Sequence, residues 1–266
     1  MDFEQLAKIE NESERVNRTY DIFNEDARLN HSKAARVEFL TTVHYIEKYL
    51  KEGDKILDIG AGAGEYSLYF ARKGYEVSAL ELADANIAAF KKKLTPEDKI
   101  DLVQGNALDL SNYEDKSFDI VLLFGPLYHL KNEEDKLRCI EEAKRVCKDG
   151  GKIFFAFISN DFVFLTEFGY DINYFSNGDY DKDTFKLNDF PFVFHTVEAA
   201  RNLLQKCDIN ILHEVASDGA SELLATRINK MSEEDYAQYL RYHFYICEKP
   251  EMIGMSNHLL FVGEKR

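Results

Sequence analysis

The chain has 266 residues, 33 basic against 48 acidic side chains for a formal net charge of −15, and 45% hydrophobic residues. That length allows one large α/β domain or a core with a cap, and the apolar fraction suffices for a buried core. An acidic balance opposes binding to phosphate backbones, which needs clustered Lys and Arg, and no apolar stretch approaches the ~20 residues of a membrane span.

Cys139, Cys147, Cys207 and Cys247 form no C-x-x-C pair and meet no His cluster at zinc spacing, so no metal is expected. Cys139 and Cys147 read as small apolar residues of one helix. The chain reads as reduced and cytoplasmic, and the acidic, polar Met1, Asp2, Phe3 and Glu4 do not read as a signal peptide.

In chain order, residues 1–50 read as helical. Leu6, Ile9 and Val16 are sparse apolar positions in a charged segment, whereas Val37, Phe39, Leu40, Val43, Ile46, Tyr49 and Leu50 recur at helical spacing. The spacing predicts a helix over 33–50 that packs on a sheet. Between them, residues 20–29 mix aromatics with both charges; a surface helix with i,i+4 ion pairs and a lid over a ligand fit equally.

Residues 55–64, KILDIGAGAG, open the first strand, glycine turn and helix of an α/β domain. Ile56, Leu57 and Ile59 make a short apolar run with Asp58 inside it, as in a buried parallel strand. Gly60, Gly62 and Gly64 then form a turn without β-carbons, which a ligand can approach closely. A helix from Glu65 to Lys73, with Leu68, Ala71 and the Arg72 stem inward, stops at Gly74. A second strand, Glu76 to Leu80, ends in Glu81, 21 residues after Gly60, where an acid can accept hydrogen bonds from ribose hydroxyls.

Asp58 to Gly64 followed by Glu81 resembles motif I and the ribose-binding acid of class I S-adenosylmethionine (SAM)-dependent methyltransferases. The acid before the first glycine distinguishes this pattern from that of NAD enzymes. The resemblance implies a Rossmann-like, mostly parallel seven-stranded sheet whose last strand is antiparallel. It also implies that Asp58, Gly60, Ala61, Gly62, Glu81 and Leu82 hold SAM, with S-adenosylhomocysteine as product.

A helix over 85–94 ends at Thr95 and Pro96, and its Lys91, Lys92 and Lys93 read as a solvated face. Strand three, 100–103, runs into Gln104, Gly105 and Asn106. The family usually has an acid where Asn106 stands, near the adenine amino group; the amide oxygen can accept the same bond, and Ala107 can add its N–H. Strand four, 118–124, leads to Gly125, Pro126, Leu127, Tyr128 and His129. The resemblance implies that Phe124 and Gly125 lie beside the cofactor, with Tyr128 and His129 near the acceptor. Residues 133–148 make an amphipathic helix stopped by Asp149, Gly150 and Gly151, and strand five covers 153–158. The recognised motifs span residues 55–159.

Residues 160–195 are rich in Phe and Tyr, and an insert of that length reads as a lid or a minor core. Thr196 can cap a helix over 197–205. Strand six is expected at 209–215, a second insert at 216–256 with a helix around 233–246, and a final strand at 258–263 between strands five and six. The chain thus reads as an N-terminal helical cap, 1–50, and a SAM-binding domain, 51–266, with two inserts.

Methyl transfer from a sulfonium needs alignment and exclusion of water more than a strong base. Candidate catalytic or orienting residues are His129, Tyr20 and Tyr128, with Arg28 or Arg36 as partners for an acidic acceptor. The aromatic insert favours a small or medium organic acceptor in a covered pocket. Three other readings stand beside it: a protein or tRNA acceptor, a non-catalytic SAM-binding module, and a dinucleotide oxidoreductase.

Overall fold

The computed structural model describes residues 3–265, centred on an eight-stranded sheet. The strands are β1 (Lys55–Ile59), β2 (Glu76–Glu81), β3 (Ile100–Gln104), β4 (Phe118–Leu123), β5 (Cys147–Ser159), β6 (Phe194–His195), β7 (Ile209–Ala216) and β8 (His258–Lys265). Their order is β3-β2-β1-β4-β5-β8-β7, and β8 runs antiparallel to both its neighbours. The expected seven-stranded Rossmann-like path is present. The two-residue β6 is an addition, made where the aromatic insert lays Phe194 and His195 beside Ile158 and Ser159.

Helices cover both faces, which is why β1 is apolar on both. Leu57 and Ile59 pack with Leu123, Phe155 and the helices Glu133–Val146 and Val197–Lys206. Ile56, out of phase by one residue, packs on the opposite side with Val43, Ile46 and Phe70. These come from helices Lys33–Glu47 and Glu65–Arg72. Ser32 caps the first of them, its Oγ accepting from Ala35 N at 3.2 Å. Burying each such side chain contributes about 1.5–3 kcal/mol, so helix Lys33–Glu47 is anchored in the core. Ahead of it, helices Phe3–Ala7 and Glu12–Thr19 and the turns at 20–31 reach the carboxyl ends of the strands. Met1, Asp2 and Arg266, at the limits of the expected cap and domain, lie outside the described residues.

Four local expectations change. Residues 20–29 are turns rather than a helix, and their ion pair, Arg28–Glu25, spans three residues. Arg72 points outward and pairs with Asp98 at 3.0 Å; the inward face is Tyr66, Ser67, Leu68, Phe70 and Ala71. Lys93 is not merely solvated, since it pairs with Asp26 and Glu65. Cys147 lies in β5, opposite Phe118, and not on the helix of Cys139. The double glycine belongs to that strand: a β-carbon on Gly151 would sit 2.7 Å from the Asp119 carbonyl oxygen.

Candidate active site

The turn after β1 is shaped by packing as much as by access. Gly60 and Gly64 have φ of +78° and +84°, and β-carbons there would meet the Phe124 carbonyl oxygen and the Phe90 ring, each at 2.4 Å. Gly60 N donates to the Leu80 carbonyl oxygen at 2.8 Å, tying the turn to β2. Glu81, at the end of β2, accepts from the backbone N–H of Gly62 at 2.6 Å, Leu82 at 2.9 Å and Ala83 at 2.7 Å. Burial raises the pKa of its carboxyl group, and these three donors oppose the rise. The Asn86 side chain also opposes it, so of the carboxylate's roughly four acceptor positions the one that the backbone donors leave is open to that amide or to a ligand hydroxyl.

Asp58 is 1% exposed, and only its Oδ2 has a partner, Ser67 Oγ at 2.6 Å. Its Oδ1 is buried without a hydrogen bond. Burial pushes the carboxyl pKa up to about 7, against the Ser67 bond and assisted by the Glu81 charge. A buried carboxylate oxygen with no donor beside a glycine turn fits a cationic ligand group.

Two cavities meet at these strand ends. The first, about 260 Å³, lies between Gly60, Glu81, Leu82, Asn106, Ala107 and Gly125 on one side and Asn11, Ser13, Val16 and Tyr20 on the other. Its roof is held by polar contacts. Asn106 Nδ2 donates to Ser13 Oγ at 2.9 Å, and Asn17 and Asp84 exchange two bonds at 2.9 and 3.0 Å. Asn106 Oδ1 already accepts from Leu108 N at 2.9 Å. Tyr20 OH meets His129 Nε2 at 2.8 Å, while His129 Nδ1 is buried without a partner. Burial, then the Arg15 charge, lowers the imidazole pKa to about 3, and burial raises that of the Tyr20 phenol. The pair is neutral, suited to orienting a group rather than to serving as a strong base.

Behind the glycine turn, a narrow groove of about 30 Å³ runs past Asp58, Phe124 and Tyr128. Glu25 lines it, its Cγ lying 3.2 Å from where a Gly62 β-carbon would be. The groove leads to the second cavity, about 550 Å³, with which it shares Glu25, Arg28 and Tyr128, and Tyr20 lines both the first and the second cavity. Arg28 Nη1 donates to Glu38 Oε2 and its Nε to Glu25 Oε1, each at 2.7 Å. His258 Nδ1 lies 2.8 Å from Asp218 Oδ2 and 3.4 Å from Glu38 Oε2. Burial, which alone would lower the His258 pKa, is outweighed by Glu38 and Asp218, and the pKa rises to about 9. Donor atoms of Glu38, Asp218 and His258 lie within 4.8 Å of one another. The guanidinium on Glu38 makes the group an ion-pair network.

Of the sequence candidates, His129, Tyr20 and Tyr128 stand together at the junction, and Arg28 lines the second cavity. Arg36 does not: it is exposed, bonding Asn30 and lying over the Phe39 ring. Ser67, Glu38, Asp218, Glu222 and His258 were not foreseen as site residues. Topology carried one signal. Because β8 is antiparallel, its first residue, His258, stands at the carboxyl end of the parallel strands.

Residues 57–155 match the model of a family described as a methyltransferase domain. A demethylmenaquinone methyltransferase of Clavibacter sepedonicus is 33% identical over 45% of this chain and 47% of its own length. A ubiquinone/menaquinone biosynthesis C-methyltransferase of Xanthomonas oryzae is 32% identical over 52% and 53%. The chain thus spans about half the length of the curated relatives it matches. Among solved structures, the PH0226 protein of Pyrococcus horikoshii aligns over 94% of this chain and 99% of its own, with a TM-score of 0.60 at 19% identity. A SAM-dependent methyltransferase of Methanosarcina mazei aligns over 83% and 96%, with a TM-score of 0.54 at 21% identity. These two establish likeness of fold.

Proposed function

We propose that this chain, which carries a class I SAM-dependent methyltransferase domain, methylates a small or medium organic acceptor held in the cavity of about 550 Å³ beyond Tyr20 and Tyr128. The observation that carries the reading is the unpartnered Asp58 Oδ1, buried beside a groove that joins the two cavities. In this reading Asp58 receives the α-ammonium group of the cofactor, and the remaining acceptor position of Glu81 takes a ribose hydroxyl. Leu82, Asn106 and Ala107 border the adenine. Gly60, Ala61, Gly62, Phe124 and Gly125 flank the rest, and seating the methionine arm moves Glu25 aside.

SAM supplies a methyl group already activated on a sulfonium, so the protein's work is alignment and exclusion of water. Tyr20, held by His129, and Tyr128 border both the cofactor side and the acceptor side, where they can orient a nucleophile. The cap (1–50) and the inserts (160–195 and 216–256) wall the acceptor cavity. Tyr170 and Phe192 from the first insert, and Glu222 and Asn229 from the second, support a small acceptor over a macromolecular one. The relatives named for quinone methylation match over about half of this chain, so acceptor chemistry is read here from the cavity itself.

Titration calorimetry with SAM, S-adenosylhomocysteine and NADH tests the cofactor assignment. Micromolar binding of the two adenosyl compounds, lost in Glu81→Ala, is expected. Binding of NADH alone, or of nothing, refutes it.

A further inference from the structure

We infer that the acceptor is a cationic amine and that Glu222 is its counter-ion. The inference rests on the methyltransferase reading above and supplies its substrate class.

Three of the four carboxylates on the second cavity meet its two cations. Arg28 is held by Glu25 and Glu38, and His258 by Asp218 and Glu38. Those cations are already matched by carboxylates, and the trio still carries one negative charge in excess. Glu222 is different. Its oxygens accept only from neutral donors, Tyr170 OH at 3.1 Å and Asn257 Nδ2 at 2.6 Å. Its charged neighbour is another acid: the Glu167 carboxyl pKa is raised, first by burial and then by the Glu222 charge. No lysine lines the cavity among the described residues, and His31, the remaining basic side chain there, turns its Nδ1 to the backbone carbonyl oxygens of Arg28 and Ala27. The cavity lining therefore holds two more carboxylates than Arg28 and His258 can match. Such charge near low-dielectric walls favours a cation and disfavours a carboxylate or phosphate.

The apolar lining agrees. Phe23 and Phe192 stand 5.3 Å apart between centroids, and Phe192 and Tyr128 6.2 Å, so aromatic rings border the space between Glu222 and the cofactor groove. Aromatic faces attract an ammonium group as well as shielding it from water. Neither feature assists a neutral ring carbon or an anionic oxygen as nucleophile.

The chemistry balances. The bound ammonium gives one proton to the Glu222 carboxylate, which passes it to solvent, and the freed nitrogen lone pair forms the new N–C bond. The methyl C–S bond breaks with its electron pair remaining on sulfur, which ends as the neutral thioether. The product is again a cationic ammonium, and one proton is released per turnover.

Three probes of matched shape test this: phenethylamine, 2-phenylethanol and phenylacetate, titrated calorimetrically into protein saturated with S-adenosylhomocysteine at pH 7.5. The amine is expected to bind at least about tenfold more tightly than either of the others, as one charge-assisted contact allows. In Glu222→Gln, which keeps an acceptor for Tyr170, the preference should fall below about threefold. The affinity for S-adenosylhomocysteine should not change, which also shows that the variant is folded. Phenethylamine binding no more tightly than the other two, including no binding at millimolar concentration, overturns the inference and leaves the methyltransferase reading standing. Failure of the wild type to bind S-adenosylhomocysteine overturns that reading instead.

Discussion

Asp58 ties cofactor affinity, pH and stability together. Its carboxyl pKa of about 7 means that, without ligand, the acid is half protonated at neutral pH. An ammonium group on its free oxygen favours the carboxylate, so the proton must leave before the cofactor binds tightly. Affinity should therefore fall as pH drops below about 7, and protonation of Asp58 taken alone should cost about 30-fold between pH 8 and pH 5.5. It should fall again above about 7.7–8.0, where an α-amino group loses its charge. Asp58→Asn removes the acidic limb and one charge-assisted bond, weakening binding by about 10–150-fold. The sign for stability is opposite. A carboxyl whose folded pKa lies above its unfolded value destabilises the fold once pH rises through that interval, here from about 4 to 7. Asn is neutral and can still accept from Ser67, so the ligand-free variant should gain about 2–4 kcal/mol at pH 8. Calorimetry across pH 5.5–8.5 and urea unfolding at pH 8 measure the two effects. Equal wild-type affinity at pH 5.5 and 7.5, or a ligand-free variant no more stable than wild type, refutes the assignment.

Two further predictions concern the scaffold. The His258 pKa is raised to about 9, so the stability it contributes is complete below about 6.5 and lost as pH rises through 9. Unfolding free energy should fall by up to about 3 kcal/mol over that interval. His258→Gln should flatten it; an unchanged slope counts against the His258–Asp218–Glu38 network. Gly64→Ala should cost about 2–4 kcal/mol in chemical denaturation, combining overpacking against Phe90 with a left-handed backbone at φ +84°. A loss under about 0.5 kcal/mol would mean that the loop and Phe90 shift apart cheaply.

Legibility from sequence followed distance along the chain. The first strand, the glycine turn and the acid ending β2 lie within 27 residues, and the bonds from Gly60 N and Ala61 N to the Leu80 carbonyl oxygen are made inside that segment. Their chemistry could be read because it is local. The junction of Cys147 with β5 could not, because glycine after an amphipathic run normally signals a helix stop. Here Gly151 is needed for close approach to Asp119 on the neighbouring strand, a contact set by pairing across the sheet. Arg28 and Arg36 were equal candidates by residue type. The turn at 20–31 sends the first inward, and the helix carrying Glu38 on its cavity side sends the second outward.

The second cavity was least legible for the same reason. Glu38, Asp218, Glu222 and His258 are up to 220 residues apart, and none sits in a recognisable motif. They converge because β8 reverses direction between β5 and β7, returning its first residue to the strand ends where the second insert also begins. The cofactor site needs one fixed geometry for one molecule, so a short segment can encode it. The second cavity is lined mostly by residues before 39 and after 157, so its chemistry can change without disturbing the glycine turn. On the proposed reading, the charge pattern around Glu222 is a better guide to the acceptor than likeness to relatives matched over about half their length.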